Sequence, residues 1–260
     1  MPGPPRPTRP AHAGAVESRA ATDVLLAGLR DAGWGPASWG RFALSTSARS
    51  AHQAWEHPRA AAEVSALHLA LAAAAGPGRR RWVALSWLMA VTHLGMLGPR
   101  RSLGAASALT LVRANLPALV PGTPWIGVVA LASDKADGIV ARWAGPTQFG
   151  HYADSLADAA FWAWFAWRHE QDRRLVATAG LAWVLPVAAV TAISFARGQM
   201  VEAPRSAWLR PAAAMQALLA ARALRSWWAA DAVQGRRRAQ GGRPPGGAGW
   251  WGMSAPPAGG

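Results

Sequence analysis

Asp134-Lys135-Ala136-Asp137-Gly138-Ile139-Val140-Ala141-Arg142 is followed, after seven residues, by Gly150-His151-Tyr152-Ala153-Asp154-Ser155-Leu156-Ala157-Asp158. The first two aspartates are three residues apart and the last two are four apart. On a helix both spacings place the side chains on one face. Each half therefore offers a paired-carboxylate face. The segment Trp143 to Phe149, which contains Gly145 and Pro146, can turn one half back on the other. Four carboxylates brought together where the dielectric is low repel strongly. Something positive must hold them, and hard oxygen ligands of this kind suit Mg2+, Mn2+ or Ca2+.

Working outward, the surroundings are apolar. Between Val64 and His169 these four are the only acidic residues, in a region rich in Ala, Leu, Val and Trp. Ionisable groups inside membrane-like segments are expensive and mark functional sites by default. Over the whole 260-residue chain, hydrophobic residues are 52% and charged residues only 15%, well below the roughly one quarter usual in soluble domains. The chain is long enough for a bundle of about six membrane helices with tails. The absence of cysteine excludes disulfides and thiolate metal sites.

The net charge of +14 comes almost wholly from arginine, since Lys135 is the sole lysine. The arginine clusters flank apolar segments instead of alternating with aromatics, so an anionic membrane surface is the expected partner and nucleic acid is not. The sixteen tryptophans also suit interfacial belts.

In chain order, residues 1–58 read as a polar N-terminal extension, disordered to about residue 20, with a weakly amphipathic stretch from Thr22 to Ala32. No secretory signal is recognisable there. Residues 59–230 read as the membrane bundle and residues 231–260 as a disordered basic, Gly- and Pro-rich tail. Within the bundle, helices are expected over 60–76, 82–97, 103–120, 125–142, 149–168, 175–196 and 207–224. Pro186 is expected to kink its helix. His68 and His93 read as packed structural histidines. Arg113 has two open readings, an interfacial side chain that reaches water or one that faces the site and touches a phosphate.

The spacing D-x2-D-G-x2-A-R-x7-G-x3-D-x3-D resembles the signature of the CDP-alcohol phosphotransferase (phosphatidyltransferase) family at Asp134, Asp137, Gly138, Ala141, Arg142, Gly150, Asp154 and Asp158. Leu109-Thr110-Leu111-Val112-Arg113 is similar to the family's preceding helix. The resemblance implies an all-α, polytopic membrane enzyme of about six helices. The family usually places three helices after the last aspartate-bearing one, whereas only two apolar segments follow here. It also implies transfer of a phosphatidyl group from CDP-diacylglycerol to a small alcohol or phospho-alcohol acceptor, with Mg2+ or Mn2+ and release of CMP. On this resemblance Asp134, Asp137, Asp154 and Asp158 are metal ligands, Asp158 is also the general base, and Gly138, Ala141, Arg142 and Gly150 line the substrate site. A homodimer in the cell membrane, its site facing the cytoplasm, is expected on the same ground. The positive-inside rule does not settle that orientation, because Arg79 to Arg81 and Arg173-Arg174 oppose it under simple alternation.

Each feature has a plainer reading. Gly138 and Ala141 could be small-residue helix packing. Arg142 could be an interfacial arginine. Gly150 could be a turn glycine, although at a helix start free N–H groups also favour an anion. A different class of function, an intramembrane carboxylate-based carrier of a divalent cation or proton, would use the same acids. It leaves Gly138, Ala141 and Gly150 unexplained.

Overall fold

The computed structural model describes residues 11–201 and 209–241. Among them are nine α-helices and no strand: α1 Ala11–Asp31, α2 Pro36–Glu56, α3 Pro58–Ala74, α4 Arg80–Thr92, α5 Ala105–Leu119, α6 Trp125–Ala144, α7 Gln148–His169, α8 Arg173–Arg197 and α9 Leu209–Gly241. Short 3-10 turns cover Pro77–Arg79 and Leu94–Leu97. The helices expected within the bundle are present, with a change in the second. The apolar run 82–97 is not one helix, because α4 stops at Thr92 and the chain passes through a 3-10 turn to Gly98. Gly98 has φ +61, a conformation open to glycine but strained for other residues.

The fold is built around α5. Leu116 joins Ile126 and Ala130 of α6, Phe161, Trp162, Phe165 and Ala166 of α7, and residues of α8 and α9 in one apolar core. Leu111 joins a second core with α3, α4 and Phe149. Ala118 joins a third with Leu71 and Val83. A helix buried on all sides can carry polar residues only where partners await them. Ser107, Thr110, Arg113 and Asn115 of α5 are all buried. The loop entering α5 is fixed by Glu63 of α3, which accepts from Ser102 Oγ and from the Leu103 N–H at 2.8 Å.

Helices α6 and α7 run antiparallel, joined by residues 145–147. The Phe165 ring of α7 reaches across to Gly127, where a methyl group would stand 2.8 Å from it, so the small residue leaves room for that ring. The other half of the pair carries the acids. Gly145, at φ +82, ends α6, and Arg100 Nη2 donates to the carbonyls of Ala144 and Gly145 at 2.8 Å each. A cation on the last carbonyls of a helix is the favoured arrangement.

Among the described residues one helix, Arg173–Arg197, is long and apolar enough to cross a membrane. It continues through Pro186, and only Ala179 and Trp183 are buried in the bundle. Leu181, Val184, Leu185 and Ile193 face outward. An all-round apolar helix with so little protein cover suits lipid. Exposed tryptophans stand at both ends of the α6–α7 pair: Trp125 and Trp167 at one end, Trp143 at the other. Among the described residues, two helices follow α7.

The N-terminal region departs furthest from expectation. In place of disorder to about residue 20 and a weakly amphipathic stretch over 22–32 there are two long helices, α1 from Ala11 and α2, and they dock on the end of α8. Arg30 Nη1 donates to the Arg197 carbonyl at 2.8 Å, and the Met200 N–H donates to Asp23 at 2.6 Å. Trp34, Trp39 and Phe42 gather round Phe195, with ring centroids 5.4 to 6.2 Å apart. This packing, with buried Leu26 and Leu29, supplies the stability that propensity alone does not. At the other end α9 runs on to Gly241, into the segment read as a disordered tail. The expected disorder of residues 1–10 and 242–260 lies outside the described residues.

Candidate active site

The aspartates stand farther from the turn than the sequence suggests. The helices extend past the motif's ends, so Asp137 and Asp154 lie some two turns, about 10 Å, in from residues 145–147. There the two pairs converge. One carboxylate oxygen from each of Asp134, Asp154 and Asp158 lies within 4.8 Å of the other two. Oxygens around a single Mg2+ at ~2.1 Å are separated by ~3 to 4 Å, so these three are within side-chain motion of sharing one ion.

The fourth aspartate is held differently. Asp137 is buried, and its Oδ2 accepts from Thr110 Oγ1 at 2.9 Å and from Arg113 Nη1 at 2.8 Å. Both donors come from α5. Ser107, Thr110 and Arg113 follow one another at intervals of three, which places them along one face of that helix. Ser107 meets the start of α7 at Gly150, where an added Cβ would come within 3.6 Å of its Oγ. Thr110 meets Asp137, and Arg113 enters the middle of the site.

Arg113 is the residue that resolves the repulsion among the acids. Its side chain has no exposure, and it reaches all four carboxylates. Nη1 is 2.8 Å from Asp137 and 3.3 Å from Asp134, and Nη2 donates to Asp154 Oδ1. Nε faces Asp158 Oδ1 at 3.2 Å. Of the two open readings for Arg113, the site-facing one holds in place, although its partners here are carboxylates. Its charge against four negative ones leaves the cluster short of neutral, which is why the donor set fits a divalent ion as well.

Asp158 lies deeper than Asp134 and Asp154, with 22% of its side chain exposed against 40% and 41%. Its Oδ2 accepts from Gln216 Nε2 of α9 at 3.2 Å. Its Oδ1 is buried and accepts no hydrogen bond, touching Arg113 only as an ion pair. A buried carboxylate oxygen without a donor, aimed into a cluster of like groups, is the orphan that a metal ion would satisfy. Gln216, like Thr110, was not marked by the motif. Thr110 carried a signal in the polar stripe of α5. Gln216 is one polar residue in an alanine-rich helix and carried none.

The remaining motif positions divide. Gly138 and Ala141 lie on α6 beyond the acids, and Gly138 has Arg142 Nη1 for a neighbour, 3.6 Å from where its Cβ would be. Arg142 itself is exposed and turns back along its own helix. Gly150 does not open α7. The helix begins at Gln148 with Thr147 as its cap, and the Gly150 N–H donates to Thr147 Oγ1 at 2.9 Å. That N–H is therefore used by the cap of its own helix, and Gly150 packs against Ser107 and Thr147. His68 is packed between Val64 O and Ser86 Oγ, at 2.8 and 3.0 Å, as a structural histidine would be.

Two carboxylate pairs on adjoining helices, a buried arginine between them and partial access from outside can bind a cation and whatever anion the cation attracts. A family model described as CDP-alcohol phosphatidyltransferase matches residues 105–235, just over half of the 260-residue chain and the segment from α5 into α9. No curated protein and no solved structure gives a match.

Proposed function

The chain belongs to the CDP-alcohol phosphatidyltransferase family, and on that premise we propose that it moves a phosphatidyl group from CDP-diacylglycerol to a small alcohol or phospho-alcohol acceptor. The family is membrane-associated and transfers a phosphate-containing group from a CDP-alcohol. The observation that carries the finer reading is the convergence of Asp134, Asp154 and Asp158 beside Arg113, in a bundle otherwise apolar.

In this reading Asp134, Asp137, Asp154 and Asp158 hold Mg2+ or Mn2+, with Asp137 fixed by Thr110 and Arg113. The bound ion would supply Lewis acidity at the phosphoryl oxygens and at the departing CMP. Gly138 and Ala141 leave room for a flat nucleotide along α6, Arg142 meets its phosphates, and Gly150 closes the α7 side. The acceptor hydroxyl oxygen attacks the phosphatidyl phosphorus. The new O–P bond forms as the bond from phosphorus to the CMP oxygen breaks, and CMP leaves with the electron pair. Asp158 takes the hydroxyl proton, and the hydrogen bond from Gln216 orients that carboxylate.

Residues 59–230 form the catalytic bundle in this reading, a homodimer in the cell membrane with the acids open to the cytoplasm. The family match favours transfer over the cation-carrier alternative. The direct assay is CMP release by the purified protein with CDP-diacylglycerol and a panel of acceptors. Turnover that needs Mg2+ or Mn2+ and is lost in Asp158→Asn supports the proposal. No turnover with any acceptor, or metal flux into liposomes without dependence on a cytidine nucleotide, would overturn it.

A further inference from the structure

Arg113 makes a demand on the site that the motif does not express. Its guanidinium is the only cationic group in contact with all four carboxylates among the described residues, and it meets an oxygen of each of the three acids that converge within reach of one ion: Asp134 Oδ1, Asp154 Oδ1 and Asp158 Oδ1. It reaches them from a third helix, α5, so it ties α6 and α7 together from outside the pair. A planar guanidinium with five donors in a fixed fork can span four partners, whereas a lysine ammonium is a compact point charge that cannot.

We infer that Arg113 is the positioning residue of this site, an internal counter-cation that holds the two acid pairs convergent and competes with the divalent ion for their oxygens. The inference rests on the proposed metal-binding role of the acids and adds an opposition to it. The residue that shapes the site also weakens its hold on the ion. Such restraint has a use, because an ion held against four uncompensated carboxylates would be less available to phosphate oxygens. Removing the arginine charge strengthens the attraction of the remaining cluster for a divalent cation, since like-signed charge nearby is lost. It also frees the acids from the fork that orients them. Affinity for the ion and rate of turnover should therefore move in opposite directions, which neither a misfolded site nor a plain metal ligand would do.

The test is Mn2+ binding to the purified full chain in nanodiscs, read by the spin resonance of free Mn2+, together with CMP release. Arg113→Met should bind Mn2+ about tenfold more tightly than the unmodified chain while kcat falls about a hundredfold. Arg113→Lys restores the charge but not the fork. Its Mn2+ affinity should return to within about threefold of the original, with kcat still down by at least about tenfold. If Arg113→Met does not fold, Arg113→Met combined with Asp137→Asn removes one charge of each sign and keeps Asp134, Asp154 and Asp158. That double variant should bind Mn2+ more tightly than Asp137→Asn alone. Unchanged or weaker Mn2+ binding on loss of Arg113, or full activity in Arg113→Lys, would overturn the inference alone. Failure of the unmodified chain to bind Mn2+ would overturn the metal reading of the acids, and this inference with it.

Discussion

Arg113 and Asn115 stand two residues apart on α5 and point to nearly opposite sides, since each residue turns a helix by about 100°. Both are fully buried. Arg113 faces four carboxylates, two of them half-open to the outside. Asn115 faces inward on α3 and α4, where its Nδ2 donates to Ser86 Oγ and to Leu111 O at 2.8 Å each. Ser86 in turn meets His68 Nε2 at 3.0 Å. One polar cluster is charged, shared between α6 and α7, and reachable. The other is neutral and lies between α3, α4 and α5. A buried polar residue in an apolar bundle is therefore no sign of chemistry by itself. Access and unsatisfied charge separate a site from interhelical glue.

That contrast can be broken experimentally. The largest effect belongs to Asp158→Asn, which keeps shape and removes the proton acceptor. CMP release should fall about a thousandfold, with a melting temperature close to the original, measured by initial rates and a thermal melt. If the Asp158→Asn variant turns over normally, the charged cluster is no more catalytic than the neutral one.

On the neutral side, Asn115→Ala should do the reverse. It should cost about 1 to 2 kcal/mol of stability by removing the donor to Ser86 Oγ and Leu111 O, and leave kcat and KM unchanged once the protein is folded. Loss of turnover at full occupancy of the folded state would erase the division drawn between the two clusters.

Thr110→Val is milder and sits on the boundary. It removes one of the two donors to Asp137 Oδ2 while keeping volume. A drop in stability of about 1 kcal/mol and a several-fold fall in kcat are expected, with Asp137 still held by Arg113.

The smallest effect lies away from both clusters. Glu170, at the end of α7, receives both arms of Arg222, at 2.7 and 2.9 Å. The hydrogen bonds from Arg222 hold its carboxyl well down, at about 2 against an ordinary 4.5. Because the folded-state value is depressed, the pair's contribution is complete above about pH 4.5 and fades as the pH falls towards 2. The difference in melting temperature between the unmodified chain and Glu170→Gln should therefore be flat from about pH 7 to 5 and shrink below about pH 4.5. A difference that grows on acidification would contradict the pairing.

The motif itself was legible because helical spacing is local. Acids three and four apart, bounded by Gly145-Pro146, fixed two antiparallel helices with facing pairs. The limits of α5 to α8 were legible within a few residues for the same reason, since apolar runs ended at Pro, Gly or charge. What could not be read was settled by partners distant in the chain. The destination of Arg113 depends on acids carried by two later helices, with Asp137 24 residues on and Asp154 41 residues on. Arg100 reaches a helix end 44 residues on. Gln216 meets Asp158 across 58 residues. Helices α1 and α2 were missed because they are too polar overall to read as apolar runs and their stability comes from Phe195, Trp39 and the end of α8. The stripe Ser107, Thr110, Arg113 was the one long-range signal present in the sequence, since three polar residues on one face of an apolar helix require a polar neighbour.

The most direct measurement is CDP binding by calorimetry to the purified chain, with Mn2+ and after chelation, repeated in Asp134→Ala. If two helices share an ion beneath a nucleotide's phosphates, CDP binds with Mn2+, loses at least about tenfold in affinity without it, and loses as much in Asp134→Ala even with Mn2+ present. CDP binding that is indifferent to the metal and to Asp134 would contradict that account.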